Sequence, residues 1–198
     1  MSELILPKRA SLDVVAMAWA LVLGAAAAVP GQTPAPAETP EGREQARLCE
    51  RLNEEEGIEA CRAALALGLG PERVAPVREV LAKHLVGLER WSELAEHYRE
   101  DVRRAPEDAE GWRRLGTTLL FALNQRAEAL AALEEATRLD PGDAATRCFL
   151  AIALHALNRY REATDAFDQA LRLDPAVLDG RPAARAVREA ARRGEPWP

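Results

Sequence analysis

Two stretches of this chain, LEEATRLDP at 133–141 and FDQALRLDP at 167–175, end in the same Asp-Pro pair 34 residues apart. The match extends upstream, where AEAL at 127–130 answers EATD at 162–165 and Leu123-Asn124 answers Leu157-Asn158. A period of this length marks one supersecondary unit used more than once. Within each unit the apolar spacing predicts two helices, roughly 110–122 then 126–139, and 144–156 then 160–173. A hairpin of two three-turn helices cannot bury an apolar face alone, so it must stack on a neighbour. Small residues mark where backbones approach: Gly116, Ala129 and Ala136 in one unit, and Ala151, Ala163 and Ala170 in the next. Trp112, Leu115, Leu120 and Leu133, then Leu150, Leu154, Tyr160 and Phe167, are the large residues that fill the gaps. Pro141 and Pro175 stop the second helix of each unit, because proline disfavours helical geometry in the residue before it.

Composition agrees on the class. Of 198 residues 40 are Ala, while Val, Ile and Thr together number 21. The best helix former is abundant and the strand formers are scarce, so the chain is expected to be all-α. A net charge of −6 argues against nucleic acid as a partner, since such binders carry a basic footprint.

Trp112 with Leu115-Gly116, Tyr160 with Ala163, Phe167 with Ala170 and the two closing Asp-Pro pairs resemble the tetratricopeptide repeat. Residues 142–175 match that pattern, and residues 107–141 match it with one extra residue in the first helix or in the loop before Asn124. Trp91, Leu94, Tyr98 and Pro106 stand at the offsets of Tyr160, Ala163, Phe167 and Pro175, so residues 72–106 read as a degenerate unit. Asp101 falls where the pattern wants Ala, and this unit should pack less tightly. Residues 42–71 read as a further, degenerate helical hairpin. Residues 176–198 read as a capping helix and tail, the helix running from Pro182 to about Arg193 with Ala183, Ala186, Val187, Ala190 and Ala191 inward.

The resemblance implies a right-handed superhelix of stacked hairpins with a concave inner surface, lined by the first helix of each unit, that holds an extended peptide or a partner helix. Carried over position by position, the groove presents Glu79 and Lys83, then Arg113 and Thr117, then Cys148, Ile152 and His155. Some members grip a terminal carboxylate with paired Lys and Asn. Arg113 supplies one cation here, but Thr117, Cys148 and Ile152 do not supply the rest. The phrase PEDAEGWRRLG at 106–116 also looks like the repeat region of cytochrome c maturation factors, which present apocytochrome for haem ligation.

At the N-terminus, Lys8 and Arg9 precede an apolar run from Val14 to Val29 that ends in four alanines, Ala25–Ala28. Basic, apolar and small regions in that order read as a secretory signal. Sixteen helical residues span about 24 Å, short of a hydrocarbon core of roughly 30 Å. Residues 1–30 are therefore expected to be a cleaved signal peptide, with an uncleaved membrane anchor as the alternative, and the remainder is expected to be exported to the periplasm or secreted. Residues 31–41 form a Pro-rich linker.

In an exported chain Cys49 and Cys61, facing each other across an antiparallel helix pair, read as a disulfide worth about 3 kcal/mol; two small buried thiols are the alternative. Cys148 packs as a small hydrophobe or lines the groove. His84, His97 and His155 lie on three helices and are expected to be solvated or half packed. The acidic run Glu54, Glu55, Glu56 and Glu59 sits where carboxylates favour a helix N-terminus. No motif of a metal site, a phosphate loop or a nucleophile is present, so neither catalysis, a cofactor nor a metal is expected. Arg181, Arg185, Arg188 and Arg192 share one face of the last helix, either as solvated charges or as a dock for an acidic partner or anionic lipid. The leading expectation is a noncatalytic adaptor for a protein or peptide ligand that assists assembly or maturation of envelope proteins. A self-assembling scaffold, with Trp91 and Trp197 at exposed ends, is the second.

Overall fold

The computed structural model describes residues 38–196. The signal or anchor segment 1–30, most of the Pro-rich linker and Trp197 lie outside the described residues. Nine helices follow one another without a strand among the described residues: α1 Pro40–Arg51, α2 Glu54–Leu67, α3 Pro71–Gly87, α4 Trp91–Arg104, α5 Ala109–Phe121, α6 Arg126–Leu139, α7 Ala144–Ala156, α8 Tyr160–Leu173 and α9 Pro182–Arg193. Consecutive helices pair as antiparallel hairpins, each hairpin stacks on the next, and α9 packs on α7 and α8. The fold is an all-α helical repeat. Pro40 and Glu41, read as linker in the sequence, are already helical, because Thr39 accepts the Gly42 N–H at 2.9 Å and proline suits a first turn.

Short side-chain devices define the boundaries. Asp108 and Asp143 cap α5 and α7 by accepting from the N–H groups of Glu110 and Ala145. Each repeated Asp-Pro pair makes a compact exit. Asp140 accepts from Gly142 N at 3.0 Å and Asp174 from Ala176 N at 2.9 Å, so the aspartate folds the chain around its proline. Glu89, Asn124 and Asn158, each two residues before a second helix, hold positive φ of 54°, 53° and 62°. Asn tolerates that left-handed conformation better than most residues, which is why Leu-Asn recurs. The extra residue of the 107–141 unit lies in this turn: four residues join α5 to α6, where three join α7 to α8. Trp112 therefore keeps its register, packing on the core with its indole N–H 2.9 Å from Pro106 O.

Gly116 is dictated by close approach. A Cβ there would stand 2.6 Å from Leu133 Cγ on α6. Ala129, Ala136, Ala151, Ala163 and Ala170 are fully buried at their helix crossings, and Phe167 and Leu133 fill the space between them. In the last helix the inward face is Ala184, Val187, Ala190 and Ala191, whereas Ala183 and Ala186 are exposed. The sequence reading had the register one residue out at the start of α9.

The buried interior falls into two clusters. One is built from α1–α4 around Cys49, Ile58, Cys61, Val77, Leu81 and Leu85, the other from α4 to α9, and Tyr98 packs against both. Cys49 and Cys61 face each other in the first cluster with Cα atoms 4.7 Å apart. Asp101 explains the seam. In place of a small residue that would bring helices together, it pairs with Arg78 of α3 and with His97 Nε2 at 3.3 Å, while Arg78 Nη2 donates to His97 O. A polar triad joins α3 to α4 where apolar contact would otherwise do so.

Candidate functional site between α3 and α5

No Cα of α3 comes within 8 Å of α5, although α5 does approach α7 that closely. The first helices of the second and third hairpins are thus spread apart, and two hollows occupy the gap. One, of about 500 Å³, is walled by Val86, Trp91 and Leu94 on one side and by Arg114, Thr117 and Phe121 on the other. The second, of about 560 Å³, runs from Val74 and Glu79 to His97, Asp108 and Glu110. Tyr98 and Arg114 line both hollows and stand between them. The first hollow is apolar with one cation. The second carries charges of both signs.

Phe121 is 55% exposed and Val86 45%, and both face the first hollow. Thr117 and Thr118 turn their hydroxyls onto carbonyls of their own helix, at 2.9–3.1 Å, and so show methyl groups rather than free donors. Burial pushes the Tyr98 phenol up from its ordinary pKa, keeping it neutral. Glu110 accepts from Arg113 at 2.6 and 2.7 Å and from Arg114 at 2.8 Å. Burial works against its ionisation, yet these two partners hold the carboxyl below its usual range.

The predicted groove residues divide into three groups. Thr117 lines the first hollow and Glu79 the second; Lys83 lies outside both as an exposed partner of Glu79 at 3.1 Å. Arg113 lies outside both hollows, on the side of α5 toward α7, where its guanidinium lies 6.0 Å from the Phe149 ring centroid. Cys148, Ile152 and His155 are buried, at 1%, 5% and 0% exposure, because the 176–181 turn and α9 close over the last unit. His155 Nε2 donates to Glu195 O at 2.9 Å. His155 and His97 are therefore core residues, not solvated ones, and His84 is half-buried against Cys49 O. Burial also raises the Cys148 thiol pKa, which leaves it protonated and inert.

Tyr98, Arg114, Phe121 and Val86 were not among the residues the sequence placed in the groove. A signal was present, since Arg114, Thr117, Thr118 and Phe121 recur at helical spacing along one stripe of α5 and alternate with its core residues. Trp91, expected at an exposed end, is half-buried in the first hollow. Of the last-helix arginines, Arg185 pairs with Asp179, and Arg188 and Arg192 with Asp168. Among the described residues no group of His, Cys, Asp and Glu could hold a metal ion, and no helix is long and apolar enough to cross a membrane.

No curated protein matches the chain. Residues 120–189 match the family described as Tetratricopeptide repeat. Among solved structures, the TPR2B domain of yeast Sti1 in complex with pHsp70 is similar, at 26% identity and a TM-score of 0.53, over 60% of this chain and 96% of that one. YrrB, described as a TPR protein with an unusual peptide-binding site, is 22% identical at a TM-score of 0.60, covering 79% of this chain and 78% of that one. MamA from Desulfovibrio magneticus RS-1 is 18% identical at 0.59, covering 80% and 93%; likeness at that identity speaks for the fold. The packing of these hairpins and their turns agrees with the match of residues 120–189 to the tetratricopeptide repeat, and together they show an all-α helical-repeat fold.

Proposed function

We propose that this protein is an exported, noncatalytic adaptor that receives an extended segment of a partner protein between α3 and α5, and that it assists assembly or maturation of envelope proteins. The observation that carries the reading is the apolar hollow beside Tyr98, with Phe121 and Val86 exposed at its rim. Exposed apolar surface of this kind marks an interaction site, and aromatic side chains are the common anchors of binding energy. The similar Sti1 domain, whose solved complex holds pHsp70, supports capture of another protein by this fold. Export rests on the basic, apolar and small order of residues 8–29, and pairing of Cys49 with Cys61 suits an oxidising compartment.

Benzoylphenylalanine placed at Phe121 in the native cell tests this reading. It is expected to crosslink one discrete partner that the same probe at Glu134, exposed on α6, does not reach. Equal yields from the two positions, or none, would contradict it. A scaffold of self-assembled chains is the second reading, favoured by Leu67 and Leu173, each 46% exposed away from the hollow; light scattering that rises with concentration in the absence of a partner would support it. The narrower likeness to cytochrome c maturation factors loses weight because the 106–116 phrase has a structural task. There Asp108 caps α5 and Trp112 ties back to Pro106.

A further inference from the structure

The arginine stripe of the last helix looks uniform in sequence and is not uniform in the folded chain. Arg185, Arg188 and Arg192 each reach an aspartate, whereas Arg181 has no carboxylate within ion-pairing distance among the described residues. Its Nη1 donates to Val177 O at 2.8 Å, and its guanidinium lies 5.9 Å from the centroid of the Phe149 ring. Arg113, from α5, lies 6.0 Å from that same ring. The carboxylate that serves Arg113, Glu110, also serves Arg114. Asp143, the other acid near Arg113, is spent on capping α7 and on the Thr146 hydroxyl. Arg113 and Arg114 thus share one directly paired carboxylate and Arg181 has none, on a chain whose net charge is −6.

Phe149 links this cationic rim to the hollow's lining, for Phe121 meets it edge-on with ring centroids 6.0 Å apart. We infer that the segment received between α3 and α5 is acidic and apolar together: an aromatic or large aliphatic side chain seated at Phe121, flanked by Asp or Glu that engage Arg181 and Arg113 beside Phe149. The inference rests on the reading of the gap between α3 and α5 as the receiving surface and adds the partner's chemistry to it. Guanidinium groups bind carboxylates through paired, charge-assisted hydrogen bonds. Two guanidiniums gathered on one ring repel each other, so an incoming carboxylate is favoured there and an incoming Lys or Arg is disfavoured.

Selection from a library of random decapeptides, N-acetylated and C-amidated, against the full-length protein tests this directly. The enriched peptides are expected to place Asp or Glu beside Phe, Trp, Tyr, Leu or Ile. Their affinity by fluorescence anisotropy should fall about tenfold in Arg181→Gln and again in Arg113→Gln, with unchanged far-ultraviolet circular dichroism, while Arg185→Glu, whose partner is Asp179, leaves it within about twofold. Enrichment without acidic residues, with binding still lost in Phe121→Ala, would overturn this inference and leave the receiving surface standing. Absence of any peptide whose binding depends on Phe121 would overturn both. Self-association abolished by Arg181→Gln would make the occupant a second copy of this chain and would overturn the inference as stated.

Discussion

At the scale of single residues, the repeat is held by volume. Gly116 leaves no room for a side chain, since its Cβ would meet a Leu133 that is itself fully buried. Gly116→Val is therefore expected to destabilise the protein by about 1–3 kcal/mol, the usual cost of overpacking, measured by urea denaturation. A smaller loss, or a gain, would show that α5 and α6 can separate freely. His97 gives a second prediction. Burial lowers its pKa below the ordinary 6.5, with Asp101 pulling up and Arg78 pushing down. The unfolded chain then takes up a proton near pH 6.5 that the folded chain does not, so stability should fall as pH drops below that value. His97→Gln should flatten the profile between pH 7.5 and 5.5, and an equal slope in wild type and variant would contradict the assignment.

At the scale of elements, helix ends were more legible than helix neighbours. The Asp-Pro exits, the capping aspartates and the Leu-Asn turns are local, each set by a few consecutive residues, and the predicted helices at 126–139, 144–156 and 160–173 match those found. The buried state of Cys148, Ile152 and His155 was not legible. It depends on where the 176–181 turn and α9 come to rest, and no periodicity within α7 encodes that. The register of α9 slipped for a related reason: an alanine-rich helix offers many equivalent faces, and only packing against α7 and α8 selects Ala184 over Ala183. The hairpin α1/α2 is also packed on small residues, with Ala46, Ala60 and Ala64 buried, and Cys49 and Cys61 meet between its helices. Replacing Cys49 and Cys61 with Ser, or reducing the protein, is expected to cost about 3 kcal/mol, read by thermal unfolding. Alkylation and mass spectrometry report the bond itself, and an alkylatable pair in protein freshly purified from the native cell would contradict it.

At the scale of the whole molecule, the two-part interior leaves α3 and α5 apart. Repeats that stack without interruption would bring α3 against α5, as α5 approaches α7. The Arg78–Asp101–His97 triad and the bridging Tyr98 hold the second hairpin in place without closing that gap, and the hollows result. Of the groove residues expected from the sequence, Glu79 and Thr117 line the hollows, whereas the expectation spread the groove along every unit. The last unit is closed by its own cap, and α5 lines the first hollow with Arg114 and Phe121 beside the expected Thr117. The most direct test uses the partner identified by crosslinking at position 121 and compares its dissociation constant for wild type, Phe121→Ala and Leu173→Ala, two exposed apolar side chains of similar exposure on different surfaces. The hollow between α3 and α5 predicts a loss of about tenfold or more for Phe121→Ala and no change for Leu173→Ala. Equal losses in both, or a loss confined to Leu173→Ala, would contradict it.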